Sequence, residues 1–216
     1  VRTVLCCIAV LASLPAADSP STKPIPIQFS SEGAALHGNF FPATGPAIAT
    51  LLLVPGFPGN PNDVVGLGAA LAPQGVNVMM FNPRGTHASE GLFSFANALV
   101  DIGAALRWLE QPDVRKRFGV DGAKVAIGGH SFGGGMALAY AAKDAGVRRI
   151  VSIAGNDHAE FIRGLQRGPA LAEAFQKTLS SALAPNGPIR LAPDAGPKEL
   201  LEHQDIYGLR ENAVRL

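Results

Sequence analysis

The stretch Lys124-Val125-Ala126-Ile127-Gly128-Gly129-His130-Ser131-Phe132-Gly133-Gly134-Gly135-Met136-Ala137-Leu138-Ala139 decides how the chain is read. Its first part is a short apolar run of the length of a buried strand, and its last part is rich in good helix formers. Between them, Gly129-His130-Ser131-Phe132-Gly133 has the G-x-S-x-G spacing of a sharp strand-to-helix turn that presents a serine hydroxyl. Such a turn strains the backbone at the serine and leaves no room for side chains beside it, a need that Gly129 and Gly133 meet. The helix behind it aims the positive end of its dipole at the serine, which favours an anion developing there. Ser131 is the candidate nucleophile, with Gly129 and Gly133 as the glycines of the elbow.

Working outward, residues 48–54 are a continuous apolar run, as expected of a central parallel strand, and residues 76–81 predict the next strand. Residues 25–29 and 35–41 predict two short strands joined by Ser31-Glu32-Gly33. A helix is predicted over 62–71, and Leu99, Ile102, Leu106 and Leu109 place an apolar stripe on a second helix over 96–110. Residues 149–154 predict another buried strand. Strands alternating with helices predict an α/β fold, a mostly parallel sheet with helices on both faces. From Asp157 the apolar pattern turns helical and is interrupted by Pro169, Pro185, Pro188, Pro193 and Pro197. That predicts a helical lid after the sixth strand, with residues 157–213 forming the lid and a following helix. No internal repeat or second domain boundary is visible, so residues 25–216 read as one domain behind a linker at 18–24.

Composition narrows the function. Of the 216 residues, 47% are hydrophobic, enough for a substantial core in one domain. A formal net charge of +1 implies no basic face, which argues against nucleic acid as a partner. Arg115-Lys116-Arg117 beside Asp113 reads as a solvated helix end. Residues 1–17 read as a signal peptide: Arg2, an apolar run from Val4 to Leu14, then Pro15-Ala16-Ala17 as a cleavage region. The run is too short to span a bilayer, so no stable membrane insertion is expected after cleavage. Cys6 and Cys7, the only cysteines, lie inside this segment. The mature protein would be secreted or periplasmic, with no disulfide, no thiol nucleophile and no cysteine metal site.

Val54-Pro55-Gly56-Phe57-Pro58-Gly59, Phe81-Asn82-Pro83-Arg84-Gly85 with Ser89 and Gly91, and the 129–133 elbow together resemble the α/β-hydrolase fold family, within it the serine-aminopeptidase-like and esterase-like group. The resemblance runs from about Ile25 to the last residue. It implies a serine hydrolase that cleaves an ester or amide through an acyl-serine intermediate. It also implies an oxyanion hole formed by two backbone N–H groups, those of Phe57 and Phe132. Pro55 stands where many relatives have histidine; this leaves the backbone donor intact. The alternatives are a non-catalytic relative that keeps the elbow and binds a ligand, and an exported structural module. The implied partner is a small-molecule ester or peptide. No metal or organic cofactor is implied, and the sequence does not specify the oligomeric state.

A serine nucleophile needs a base, and the base needs an orienting acid, in the chain order Ser, Asp or Glu, His for this family. His37 reads as a surface residue of the early hairpin. His130 is the variable position of the elbow, too close to Ser131 in sequence to serve as its base. His87, in the loop after the fourth strand, is a possible pocket residue, as are Asp157 and His158. Asp157 fits the triad acid or, more plainly, the cap of the helix that follows. His158 and His203 follow the serine but lie at the two ends of the lid. Asp101 reads as structural, and Arg84 as a loop-positioning residue able to pair with a carboxylate. Six strands are counted where the resembling fold has eight, with acid and base after the last two. The expectation is therefore a C-terminally truncated chain that lacks the triad Asp and His and is inactive or nearly so. The signal segment predicts cleavage near Ala16 or Ala17; intact-mass analysis of the exported protein should show neither Cys6 nor Cys7, and a mass that includes them would refute export by this route.

Overall fold

The computed structural model describes residues 23–216; the predicted signal peptide, with Cys6 and Cys7, lies outside the described residues. Six strands form one sheet in the order β1-β2-β4-β3-β5-β6. They are β1 (Ile25–Ser31), β2 (Ala34–Phe41), β3 (Ala49–Val54), β4 (Val76–Phe81), β5 (Val125–His130) and β6 (Ile150–Ile153). β1 and β2 form the antiparallel hairpin and β2 joins β4 antiparallel, whereas β3 is parallel to both β4 and β5, and β5 to β6. Residue alternation on the central strands feeds two separate cores. Leu52, Val54, Met79 and Phe81 point to one face, under α2 (Phe95–Glu110), α3 (Pro112–Phe118) and α4 (Phe132–Lys143). Leu51, Leu53, Val78 and Met80 point to the other, under α1 (Leu67–Leu71). Leu52, Met79 and Ile127 share one register level across β3, β4 and β5, and burying each contributes about 1.5–3 kcal/mol.

Two long-range side chains tie the loops at the carboxyl ends of the strands to this frame. Arg84, just after β4, donates from Nε to Asp101 Oδ1 at 2.8 Å, from Nη1 to Glu32 at 3.0 Å and from Nη2 to Ser31 at 2.9 Å. Asp101 on α2 is fully buried, and its other oxygen accepts the Arg84 backbone N–H at 2.8 Å. One guanidinium thus joins the β4 loop, α2 and the β1–β2 turn. Ser89, also fully buried, donates to the Asn82 carbonyl and accepts from the His37 N–H.

After β6 come α5 (His158–Arg167), α6 (Pro169–Ala182), α7 (Pro197–Glu202), α8 (Gln204–Tyr207) and α9 (Leu209–Asn212). The predicted helical segment after the sixth strand is present, but residues 188–192 are extended rather than helical. The Arg190 N–H donates to Gly85 O at 2.8 Å, the Phe93 N–H to Arg190 O at 2.7 Å and the Ala192 N–H to Phe93 O at 2.8 Å. The Arg190 guanidinium donates to the carbonyls of His87 and Ser89. Gly85, at φ 75°, lies so close to the Phe93 backbone that no side chain fits there.

Three other expectations need correction. The helix predicted over 62–71 begins only at Leu67, because Val65 (φ 47°) and Gly66 (φ 77°) are left-handed. The Asp63 carboxylate meanwhile accepts from the N–H groups of Gly68 and Ala69. The strand predicted as buried over 149–154 is half-exposed, with Val151 41% accessible. β6 ends the sheet, and among the described residues no strand pairs with its outer edge. His37 is half-buried rather than a surface residue, since its strand lies between β1 and β4. Arg115, Lys116 and Arg117 are exposed in the last turn of α3, as expected. The Arg84–Asp101 pair generates a stability prediction. Asp101→Ala strands a buried guanidinium and should cost about 3–5 kcal/mol, read from chemical denaturation midpoints. The double change Arg84→Met with Asp101→Leu should recover only the part owed to the unpaired charge, since the residue 84 N–H still loses its acceptor.

Candidate active site

The elbow is built from the carboxyl end of β5. Ser131 has φ 52° and ψ −116°, a conformation that side-chain-bearing residues rarely adopt. Its backbone is held at both ends. The N–H donates to Ile153 O at 2.9 Å, and the carbonyl accepts from Gly135 N at 3.2 Å and Asn156 N at 3.0 Å. The end of β6 and the loop after it therefore fix the serine in place. α4 starts immediately and approaches β3 so closely that a side chain at Gly133 would meet the Val54 carbonyl.

The β3 loop flanks the serine on one side. A Cβ at Gly56 would lie 3.5 Å from Ser131 Cβ and 3.1 Å from His130 Nδ1. Phe57, next in the chain, stacks edge-on with Phe132, their ring centroids 6.3 Å apart. Among the described residues, the backbone N–H groups of Phe57 and Phe132 donate no hydrogen bond. These are the two amides expected to form an oxyanion hole.

Ser131 lines two cavities. The first, about 250 Å³, lies under α5–α7 and is walled by phenylalanines 57, 93, 95, 132, 161 and 175. Phe93 sits at the centre of this cluster, with ring centroids 5.7–5.8 Å from Phe57, Phe95 and Phe132. The second cavity, about 230 Å³, opens on the β3-loop side between Gly56, Asn60 and His130.

The structure separates the expected pocket residues. His158 lines the first cavity but is buried, and both of its nitrogens are engaged. Nε2 donates to the Phe132 carbonyl at 3.3 Å, so Nδ1 is the acceptor for Asn156 Nδ2 at 2.9 Å. Burial pushes the imidazole down to about 4, which keeps it neutral. Asp157 is off the cavity wall. One oxygen caps α5 by accepting from Glu160 N at 2.9 Å, and the other accepts from Leu209 N at 3.1 Å. His87 is also outside both cavities, packed against the Gly59 turn with a left-handed φ of 49°. Among the described residues its buried Nε2 has no hydrogen-bond partner, and burial lowers its pKa more than the Gly59 backbone raises it. His203 is exposed at the end of α7. Among the described residues, no histidine hydrogen-bonds the Ser131 hydroxyl, and no cluster of three or more His, Cys, Asp or Glu is able to hold a metal.

The sequence reading missed Glu199. Its buried carboxylate accepts from the N–H groups of Phe95 at 3.0 Å and Ala96 at 2.7 Å, beside the Ser94 cap of α2. The negative group on the positive end of the helix pins α7, and with it the roof of the first cavity, to the sheet body. Tyr207 lies next to it; burial first, and then the Glu199 carboxylate, raise the phenol pKa. No local pattern near residue 199 signals a partner 104 positions away in sequence.

His158 gives the stability a pH signature. A folded pKa near 4 against an ordinary value of 6.5 means that the unfolded chain binds the proton more tightly. Stability is then whole above about pH 6.5 and falls as the pH drops toward 4, with a slope approaching about 1.4 kcal/mol per pH unit from this group. Thermal denaturation between pH 7.5 and 4.5 checks this; His158→Asn should flatten the fall while lowering stability at pH 7.5.

Comparison with known proteins agrees with this geometry. A family model described as alpha/beta hydrolase fold matches residues 49–196. An uncharacterized protein, YfhR, from Salmonella typhi is 32% identical over 137 residues, covering 56% of this chain and 45% of the relative. The chain thus spans less than half the length of the curated relatives it matches. Among solved structures, the alpha/beta hydrolase GrgF from Penicillium sp. sh18 superposes with a TM-score of 0.56 at 20% identity, covering 88% of this chain and 71% of that one. Est1E from Butyrivibrio proteoclasticus with bound ferulic acid superposes with a TM-score of 0.54 at 20% identity, covering 64% and 56%. Among the described residues, no helix is long and apolar enough to cross a membrane. By the family match and the sheet that carries the elbow, the chain belongs to the alpha/beta hydrolase fold family.

Proposed function

We propose that this protein is a serine hydrolase that cleaves an ester or amide bond through an acyl-serine intermediate on Ser131. The observation that carries the reading is the left-handed Ser131, held by β6 and opening onto two cavities beside two uncommitted backbone amides. The hydroxyl attacks the substrate carbonyl carbon as its proton passes to a base. The carbonyl electrons move onto oxygen, where the N–H groups of Phe57 and Phe132 receive the charge. Collapse expels the alcohol or amine with the proton, and water then releases the acid from Ser131. Gly129 and Gly133 serve this chemistry by letting the turn close.

On this reading, the base and its orienting acid are supplied by chain outside residues 23–216. His158 spends both nitrogens elsewhere, and Asp157 is committed to two backbone amides. Residues 1–216 alone would then turn over slowly or not at all. Export to the periplasm or beyond belongs to the same proposal and rests on residues 1–17. The absence of a histidine partner at Ser131 among the described residues favours a second reading, a ligand-binding relative without catalysis.

One experiment separates the two. In the full-length protein, a fluorophosphonate should label Ser131, and Ser131→Ala should abolish both labelling and turnover of a p-nitrophenyl ester. Phe57→Pro, which removes one N–H, should lower kcat by about 10²–10³. Labelling that survives Ser131→Ala would overturn the assignment, and a wild type with neither labelling nor turnover would favour the binding protein.

A further inference from the structure

The two cavities at Ser131 differ in chemistry, and the difference orients a substrate. We propose that the cavity under α5–α7 is an acyl chamber for an uncharged aromatic or aryl-alkyl group, and that the β3-loop groove takes the departing alcohol or amine. This rests on the Ser131 reading above and adds the substrate class and its direction in the site.

Among the described residues, no Lys, Arg, Asp or Glu lines the first cavity, and besides Ser131 its polar side chains are Asn156 and His158. Asn156 Nδ2 donates to His158 Nδ1 and the His158 Nε2–H donates to Phe132 O, so the imidazole is fully engaged and Asn156 keeps only a neutral amide oxygen and one N–H. A carboxylate or ammonium entering there would lose its hydration and meet no opposite charge. Six phenylalanine rings present faces and edges suited to another aromatic ring. An apolar cavity of roughly 150 Å³ takes up benzene in another protein; this one, at about 250 Å³, has room for a phenyl ring on a short tether.

The path to water orients the substrate. The leaving oxygen or nitrogen must gain a proton and then escape to water. The aromatic chamber lies under α5–α7 and holds no charged side chain, which hinders escape of a polar leaving group through it. The groove lined by Gly56, Asn60 and His130 is more open and carries polar side chains. The acyl half therefore goes under α5–α7, and the leaving group goes toward the β3 loop.

Two isomeric esters test the direction. Methyl 3-phenylpropanoate carries its ring on the acyl side, and 2-phenylethyl acetate carries it on the alcohol side. In the full-length protein, kcat/KM should favour the first by about tenfold or more. Leu179 lines the chamber from α6 and is half-exposed, so Leu179→Trp fills the space from the rim; it should collapse the ratio toward one, whereas Leu179→Ala should raise activity on the longer methyl 5-phenylpentanoate. Equal or reversed preference in the wild type would overturn the proposal. Calorimetric titration of Ser131→Ala with 4-phenyl-2-butanone, which has the acyl skeleton but no leaving group, tests the chamber without catalysis. Binding that Leu179→Trp weakens supports the chamber even where ester turnover is absent, in which case the Ser131 reading alone falls. No binding to Ser131→Ala overturns the chamber.

Discussion

Every feature of the site depends on one close approach, that of the first turn of α4 to the carboxyl ends of β3 and β5. Gly133 meets the Val54 carbonyl with no space for a side chain, and the chain reverses at Ser131 only by entering left-handed geometry. A residue with a side chain held there costs about 1–3 kcal/mol. The three backbone hydrogen bonds to Ile153, Gly135 and Asn156, each worth about 1 kcal/mol, offset a cost of that size. The same geometry leaves the Phe132 N–H at the head of the helix without a partner and sets the hydroxyl at the junction of two cavities.

The parts of the molecule written in local pattern were legible from sequence. The glycines around Ser131 announced the turn, and the apolar run at 48–54 and the largely apolar segment 76–81 announced β3 and β4, because burial on both faces demands apolar residues. Arg84 and Asp101 were recognisable as structural residues from their places on the loop and the helix, although only the fold revealed that they bond each other. One misreading ran against local preference: Asn62 to Gly66 are weak helix formers, Asp63 turns back to bond the start of α1, and two left-handed residues delay it.

Long-range pairing was invisible for a different reason. Residues 188–192 read as a proline-broken irregular stretch, yet they bond the 85–93 loop, roughly a hundred positions earlier. Glu199 carries no local signature of a helix cap, since the helix it caps is α2. His158 occupies a position suggestive of a role at the serine, and burial, which no sequence spacing expresses, decided against it. The elbow needed only local chemistry to be found; the roof above it needed the whole fold.

Helix α6 contributes Phe175 and Leu179 to the chamber wall, while the hydrogen bonds that hold Ser131 come from β6, the loop after it and α4. Part of the chamber wall thus lies outside the elbow, although Phe57, Phe93, Phe95 and Phe132 bring the rest of it from the sheet body. Most of α6 is exposed, with Ala182 its only fully buried residue, while Ala172 and Phe175 pack against the core from its inner side. On the proposed reading, changes at Leu179 on this one helix would reshape the chamber without touching the backbone hydrogen bonds that hold the strained serine.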